Sequence, residues 1–407
     1  MSSDDVNELY ASFSVYTSGK KLFDVRAVKS VNSIDCLHGL RALSVLYIIW
    51  GHRVGIALST GLVNLTAFRE WYLKLTSSVF NTHQVAVDTF LFMGALLLVW
   101  SMIPNLDRFG PLTDQHNYQS QENCQKWWWG VFLHIQNYMN PEEFCLDQSW
   151  YLAVDFQLFL VSPLLIYPAW KYGWKYVWVL PGLTIASAVY IFIISYQLEI
   201  RCIVRSPQGL LDLFRYVYYP THARMGPWFM GMFLGFVLHK TRGTKIRINP
   251  IVKFIMWILC LSTFAAITLG AMHLFKQGSY NVTTQLQNSF YLSLYRNGWS
   301  VALCWLVFAC HNGTGGIIRW FLTLPQWQPI GRMCLSMYLV GWMYQIIAIG
   351  NYKLPIYFEE IEWIHMYWGD IFGTIILATV LYLACETPFM RIESYLYKKY
   401  NKQKTEA

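Results

Sequence analysis

Apolar residues come along this chain in long runs closed by short polar or basic stretches, with no strand-like alternation. The first run, residues 34–58, reads IDCLHGLRALSVLYIIWGHRVGIAL. About 20 residues at ~1.5 Å each cover a hydrocarbon core of roughly 30 Å, so this run predicts a membrane-spanning helix. Further runs predict spans at 86–102, 149–168, 174–196, 226–238, 251–273, 299–310, 333–349 and 367–385. The stretch WWWGVFLHIQNYM, residues 127–139, would be only about 20 Å long as a helix and is read as interfacial. The predicted fold class is all-α: a polytopic transmembrane helical bundle of about nine to ten spans.

Composition sharpens this picture. With 55% hydrophobic and 13% charged residues, against roughly 25% charged in an average soluble chain, an ordinary soluble domain is excluded. The 19 Trp and 27 Tyr suit membrane–water interfaces. A net charge of +8 arises from short Lys/Arg clusters between apolar runs, a topology signal and not a nucleic-acid footprint, so no nucleic-acid partner is expected. Lys20, Lys21, Arg26 and Lys29 place the N-terminal segment, 1–33, in the cytosol. No cleavable signal peptide is visible in 1–29, so the first span is expected to be an uncleaved anchor. Lys240, Arg242, Lys245 and Arg247 mark a cytosolic loop, and Lys398, Lys399, Lys402 and Lys404 a basic cytosolic tail, 391–407. The transmembrane domain between them runs from 34 to 390. Sequons at Asn64-Leu65-Thr66 and Asn281-Val282-Thr283 then fall on the lumenal side, so a multi-pass glycoprotein is expected. Nine cysteines show no zinc-type spacing; Cys124 and Cys145 flank a polar region and are expected to pair if it is lumenal.

The loop charges conflict at one place. Two crossings leave residue 104 in the cytosol, while the downstream half needs residue 149 to begin in the lumen. Either 127–139 spans with local bilayer thinning, or the second span returns, or a helix is missing near 103–125; the third is preferred. There is no Gly-rich nucleotide loop and no low-complexity tract.

Ionisable residues inside the runs are the candidate chemistry. Eleven helical steps of about 100° separate Arg41 from His52, three turns with ~20° left over, so both project from one face about 16 Å apart. Ionisable groups in a span are costly and read as functional by default; the alternative is an interhelical histidine with a snorkelling arginine. His38, at the headgroup boundary, is not read as catalytic. Asp88 opens the second span, where it either acts chemically or favours the helix N-terminal dipole. Asp155, with Gln157 and His134, either acts or bridges helices by hydrogen bonds. Arg224 precedes Gly226-Pro227 and is alternatively an interfacial anchor.

The order of CLHGLRALSVLYIIWGH, VDTFLFMGALL, CLDQSWYLAVDFQLFLVSPLL, ARMGPWFMGMFLGF, CHNGTGGIIRWFLTLPQWQPIGRMCLSMYLV and CETPFMRIE resembles the acyltransferase 3 family. More narrowly the chain resembles the branch named after the nose resistant to fluoxetine proteins, from about residue 13 to residue 394. The resemblance implies an integral membrane O-acyltransferase that moves an acyl group from acyl-CoA, as co-substrate, to a hydroxyl acceptor, with membrane lipid around it and no metal. The family's span-one arginine and histidine match Arg41 and His52, its aspartate opening the second span matches Asp88, the acidic position of its tryptophan-tyrosine-leucine motif matches Asp155, and its arginine before the sixth helix matches Arg224. Neutral imidazole can take the hydroxyl proton near pH 7, which makes His52 the general base. Asp88 or Asp155 would stabilise the imidazolium, and Arg41 would grip donor phosphates. Three departures stand out: SMIPNLDRFGP replaces a helix with an arginine-rich cytosolic motif, Met93-Gly94 replaces a Ser-Gly pair, and Gly341 replaces a histidine. If the lost helix is real, the alternative is a catalytically inactive relative that binds or transports lipids or small hydrophobic compounds.

Overall fold

The computed structural model describes residues 14–24, 34–60, 62–72, 74, 77, 82–102, 121–139, 144, 149–202, 207–244, 246–276, 284–350, 357–392 and 395. Region 103–120, Cys145 and the Asn281 sequon lie outside the described residues, as does the side chain of Cys124. In chain order the principal helices are α1 (Val15–Leu22), α2 (Cys36–Thr60), α3 (Gln84–Met102), α4 (Gln121–Phe132), α5 (Gln136–Met139), α6 (Ser149–Tyr172), α7 (Val179–Gln197), α8 (Thr221–Lys240), α9 (Pro250–Lys276), α10 (Gln285–His311), α11 (Trp327–Arg332), α12 (Cys334–Gly350) and α13 (Glu360–Leu381). No strand occurs among the described residues. The chain divides into two compact units: Met1–Phe68 with Ile317–Ala407, and Arg69–Gly316.

In the first unit α2 runs unbroken for 25 residues and packs against α11, α12 and α13. Small residues let the backbones approach: Gly39 lies under the Leu322 backbone, and Gly331 on the backbone of His38. The amphipathic α1 starts on a Ser14 cap whose hydroxyl accepts from the Thr17 amide at 3.3 Å. Its carbonyl end is held by Arg332, which donates to Lys21 O at 2.6 Å, Leu22 O at 2.8 Å and Asp24 O at 3.1 Å.

In the second unit α8 is the axis, buried along nearly its whole length. It packs against α3, α7, α10 and α6. Gly231 sits directly on the Phe92 carbonyl of α3, a contact no larger residue permits. The stretch 127–139 is broken within itself. It holds the last turns of α4, a turn at His134 with φ 52°, and α5. Polar side chains bolt α5 down: Asn137 donates to Tyr219 O at 3.2 Å and Thr221 Oγ1 at 3.0 Å, and Gln157 donates to Asn137 Oδ1 at 2.9 Å.

Among the described residues four helical stretches, Ser149–Tyr172, Trp174–Gln197, Pro250–Gly270 and Glu360–Ile392, are long and apolar enough to cross a membrane. A fifth is added if Gln285–His311 counts together with the short helix that follows it. Their outward faces carry large apolar side chains such as Leu164, Ile185, Phe254 and Phe372, a surface that lipid covers and water would not. The sequence reading expects nine to ten spans. Gln84–Leu96 and Cys334–Ala348 are apolar but shorter, and α10 begins 14 residues before the apolar run at 299–310, started by a capping box of Thr284 and Gln287, with Asn288, Ser289, Ser293, Arg296 and Asn297 buried within it.

Candidate functional site

The first unit holds Arg41 and His52 on the one continuous helix α2, the condition the spacing needs if both are to share a face. The His52 ring meets Trp342 of α12 edge-on at 4.8 Å between centroids, and Tyr338 at 6.4 Å. Arg41 is partly buried, and among the described residues its guanidinium meets no carboxylate at ion-pair distance. His38 and Cys334 lie within its electrostatic reach, and Cys334 also lies within that of Glu386. Glu386 accepts a hydrogen bond from Ser336 at 2.6 Å.

The residue after His52 belongs to a different structure. Arg53 is buried and forms a forked pair with Asp370 of α13, Nε to Oδ2 at 2.6 Å and Nη2 to Oδ1. Gln345 of α12 donates to Asp370 Oδ2 at 2.7 Å and to the Ile49 carbonyl of α2 at 2.9 Å. Sequence reasoning missed all three. The readable signal was an opposite charge in each of two apolar runs; which run pairs with which is not written in either.

The second unit holds Asp88, Asp155 and Arg224. Asp88 and Arg224 come together as a fully buried ion pair, Nη1 to Oδ1 at 2.9 Å. Arg224 is therefore no interfacial anchor, and Asp88 is its counter-ion. A third member was missed: Arg296 Nε lies 3.8 Å from Asp88 Oδ2. Arg296 stands before the apolar run at 299–310, which is why it escaped notice. A π-helical turn, Phe214–Tyr218, supplies carbonyls to both arginines: Tyr218 O accepts from Arg224 at 2.8 Å, and Val217 O accepts from Arg296 at 2.8 Å. Tyr218 lies 4.3 Å from the Arg224 guanidinium and Trp150 lies 5.0 Å from it, so the cations are walled by aromatic rings.

Asp155 has no hydrogen bond or ion pair among the described residues. Its carboxylate lies beside Gly94 of the Met93-Gly94 pair, where an added methyl group would meet Asp155 Oδ1 at 3.6 Å, an ordinary contact. The helix bridging proposed for it is done by Gln157, through His134 O and Asn137. Gly341 faces Thr374 and Ile49, and a methyl group added there would meet them at 3.4–3.7 Å, ordinary contact distances. Among the described residues no group of three or more His, Cys, Asp or Glu is placed to hold a metal ion.

The chain is 24% identical over 460 aligned positions to nose resistant to fluoxetine protein 6 of Caenorhabditis elegans, a match covering 95% of this chain and 54% of that protein. The chain thus spans about half the length of the curated relative it matches. No protein-family model matches it, and no solved structure does. The likeness supports the resemblance carried by the sequence motifs, and with the apolar helices it makes this a membrane protein similar to the nose resistant to fluoxetine branch.

Proposed function

Starting from that likeness, we propose that this chain is an integral, multi-pass membrane O-acyltransferase of about nine to ten spans with both termini in the cytosol. It moves an acyl group from acyl-CoA to a hydroxyl acceptor. The observation that carries the reading is the division of labour on α2. Arg53 is satisfied by Asp370, while among the described residues Arg41 meets no carboxylate at ion-pair distance and the His52 ring faces Trp342 and Tyr338. A guanidinium at one end of the helix suits donor phosphate, since its forked donors match phosphate oxygens. His52 takes the acceptor proton as the hydroxyl oxygen forms the new ester bond to the thioester carbonyl; the C–S bond breaks and the proton passes to the leaving thiolate.

In the second unit Asp88, Arg224 and Arg296 act on the fold, and Asp155 is kept as the candidate for proton handling because a carboxyl within a span, with no hydrogen bond or ion pair among the described residues, is costly to retain without a role. Glycosylation at Asn64 belongs to this proposal as well. Its side-chain amide is engaged with the Phe358 backbone, donating to the carbonyl at 2.8 Å and accepting from the amide at 2.6 Å.

Gly341, standing where the resemblance implies a histidine, favours a second reading, a relative that binds lipids or small hydrophobic compounds without chemistry. Transfer of label from acyl-CoA by purified protein separates the two. Under the first reading His52→Ala lowers turnover by about 10²-fold or more, the usual worth of a general base. Arg41→Gln raises KM for the donor. Transfer unchanged in His52→Ala removes His52 as base, and donor or lipid binding without transfer by the unaltered protein establishes the second reading.

A further inference from the structure

We infer that Arg53, Asp370 and Gln345 form a clamp that sets the rotation of α2 and so aims the His52 imidazole, which makes Arg53 a positioning residue for the proposed chemistry. The clamp grips the turn that carries His52. Gln345 spends both amide hydrogens, one on the Ile49 carbonyl three residues before His52 and one on Asp370. Arg53, the residue after His52, reaches the same carboxylate through two nitrogens and turns a third toward Met366 Sδ at 3.9 Å. One helix is therefore held by its backbone and by its side chain, from two neighbouring helices, within a single turn.

A buried ion pair of this kind contributes little net stability compared with apolar side chains of the same volume, because desolvation offsets most of the attraction. Its best-attested use is to fix register, and a forked arginine fixes it in two dimensions. Here register has a consequence next door. A side chain ending about 6 Å from the helix axis moves by roughly 2 Å when the helix turns by about 20°. Misplacement of a reacting group by about 1 Å costs on the order of 10²-fold in rate. The clamp also holds α12 at Gln345, one turn from Trp342, whose ring faces His52 at 4.8 Å. The histidine and its aromatic wall are thus placed by the same three residues.

The inference rests on reading His52 as the base, and its test is built to fail separately from that reading. In full-length protein in lipid nanodiscs, the rate at which diethyl pyrocarbonate modifies His52 is measured by peptide mass spectrometry, with His239 as internal reference. Arg53→Met combined with Asp370→Leu removes the clamp but keeps the core apolar and filled. That variant is expected to unfold within a few degrees of the parent, to show at least a threefold change in the His52 modification rate, and to lose about 10-fold to 100-fold in acyl transfer. Gln345→Leu, which leaves the ion pair in place, is expected to change the modification rate in the same direction by less, and it carries the test alone if the double variant does not fold. A His52 modification rate equal to the parent's in a folded variant overturns the clamp whatever the transfer assay gives. Absence of transfer in the parent protein overturns the acyltransferase reading and leaves the clamp to be judged on modification alone.

Discussion

Asp88 has more charge to balance than its place in the sequence suggests. It is one carboxylate set against two guanidiniums, and Asp88, Arg224 and Arg296 are all buried. Removing one partner of a buried pair leaves the other charge uncompensated, at about 3–5 kcal/mol. Asp88→Ala strands two cations and is expected to lose at least that much, seen as a large fall in the unfolding temperature in detergent. Arg296→Met is expected to cost less, because the Asp88–Arg224 pair survives it. The ingredients were legible, since Asp88 and Arg224 stand out from their apolar surroundings and the family resemblance marks them. Their pairing was not, because the partners lie 136 residues apart and nothing local records the contact. The same holds for Arg53, whose carboxylate partner is 317 residues away. His52, one position earlier, drew attention to the very turn that contains the missed arginine.

Among the helices, runs of apolar residues located the cores well and the ends poorly. Both ends of α8 extend beyond the apolar run at 226–238, and α10 is more than twice as long as its apolar run suggests. In both cases the added turns carry polar side chains that find partners inside the unit, such as Asn288 on Ile200 O at 3.1 Å, so counting apolar residues stops too early. Packing between helices left a clearer trace in glycine, though only structure tells which glycines are structural. A methyl group at Gly231 would be driven into the Phe92 carbonyl of α3, whereas one at Gly182 of α7 meets nothing within 4 Å. Gly231→Ala is therefore expected to destabilise by about 1–3 kcal/mol, the usual cost of overpacking. Gly182→Ala is expected to be neutral or to stabilise by up to about 1 kcal/mol, through helix propensity. Thermal unfolding of the two variants side by side checks the pair, and equal shifts would mean that α3 and α8 do not approach as closely as described.

For the molecule as a whole, the burden of the membrane reading falls on α9. The stretch Pro250–Gly270 has a mean hydropathy of 2.0, yet only 11% of that window is buried within the protein. An apolar face of this size would not persist in water, and lipid is the solvent that covers it without loss. At ~1.5 Å per residue its 21 residues reach about 30 Å, enough for one crossing. The basic loop before it and the capped start of α10 after it must then lie on opposite sides of the bilayer. Single cysteines at Arg247→Cys and Leu286→Cys test this in sealed vesicles, with the exposed Cys385 replaced by Ser. A membrane-impermeant maleimide is expected to label one position from outside and the other only after the vesicles are opened. With the loop carrying Arg242 and Arg247 facing the cytosol, as the positive-inside rule requires, the position at 247 is the cytosolic one. Labelling of both from the same side would remove α9 from the spans and reverse the orientation inferred for everything before it. Labelling from opposite sides would place the α10 capping box at the lumenal face, and the conflict in the loop charges would then lie upstream of residue 149.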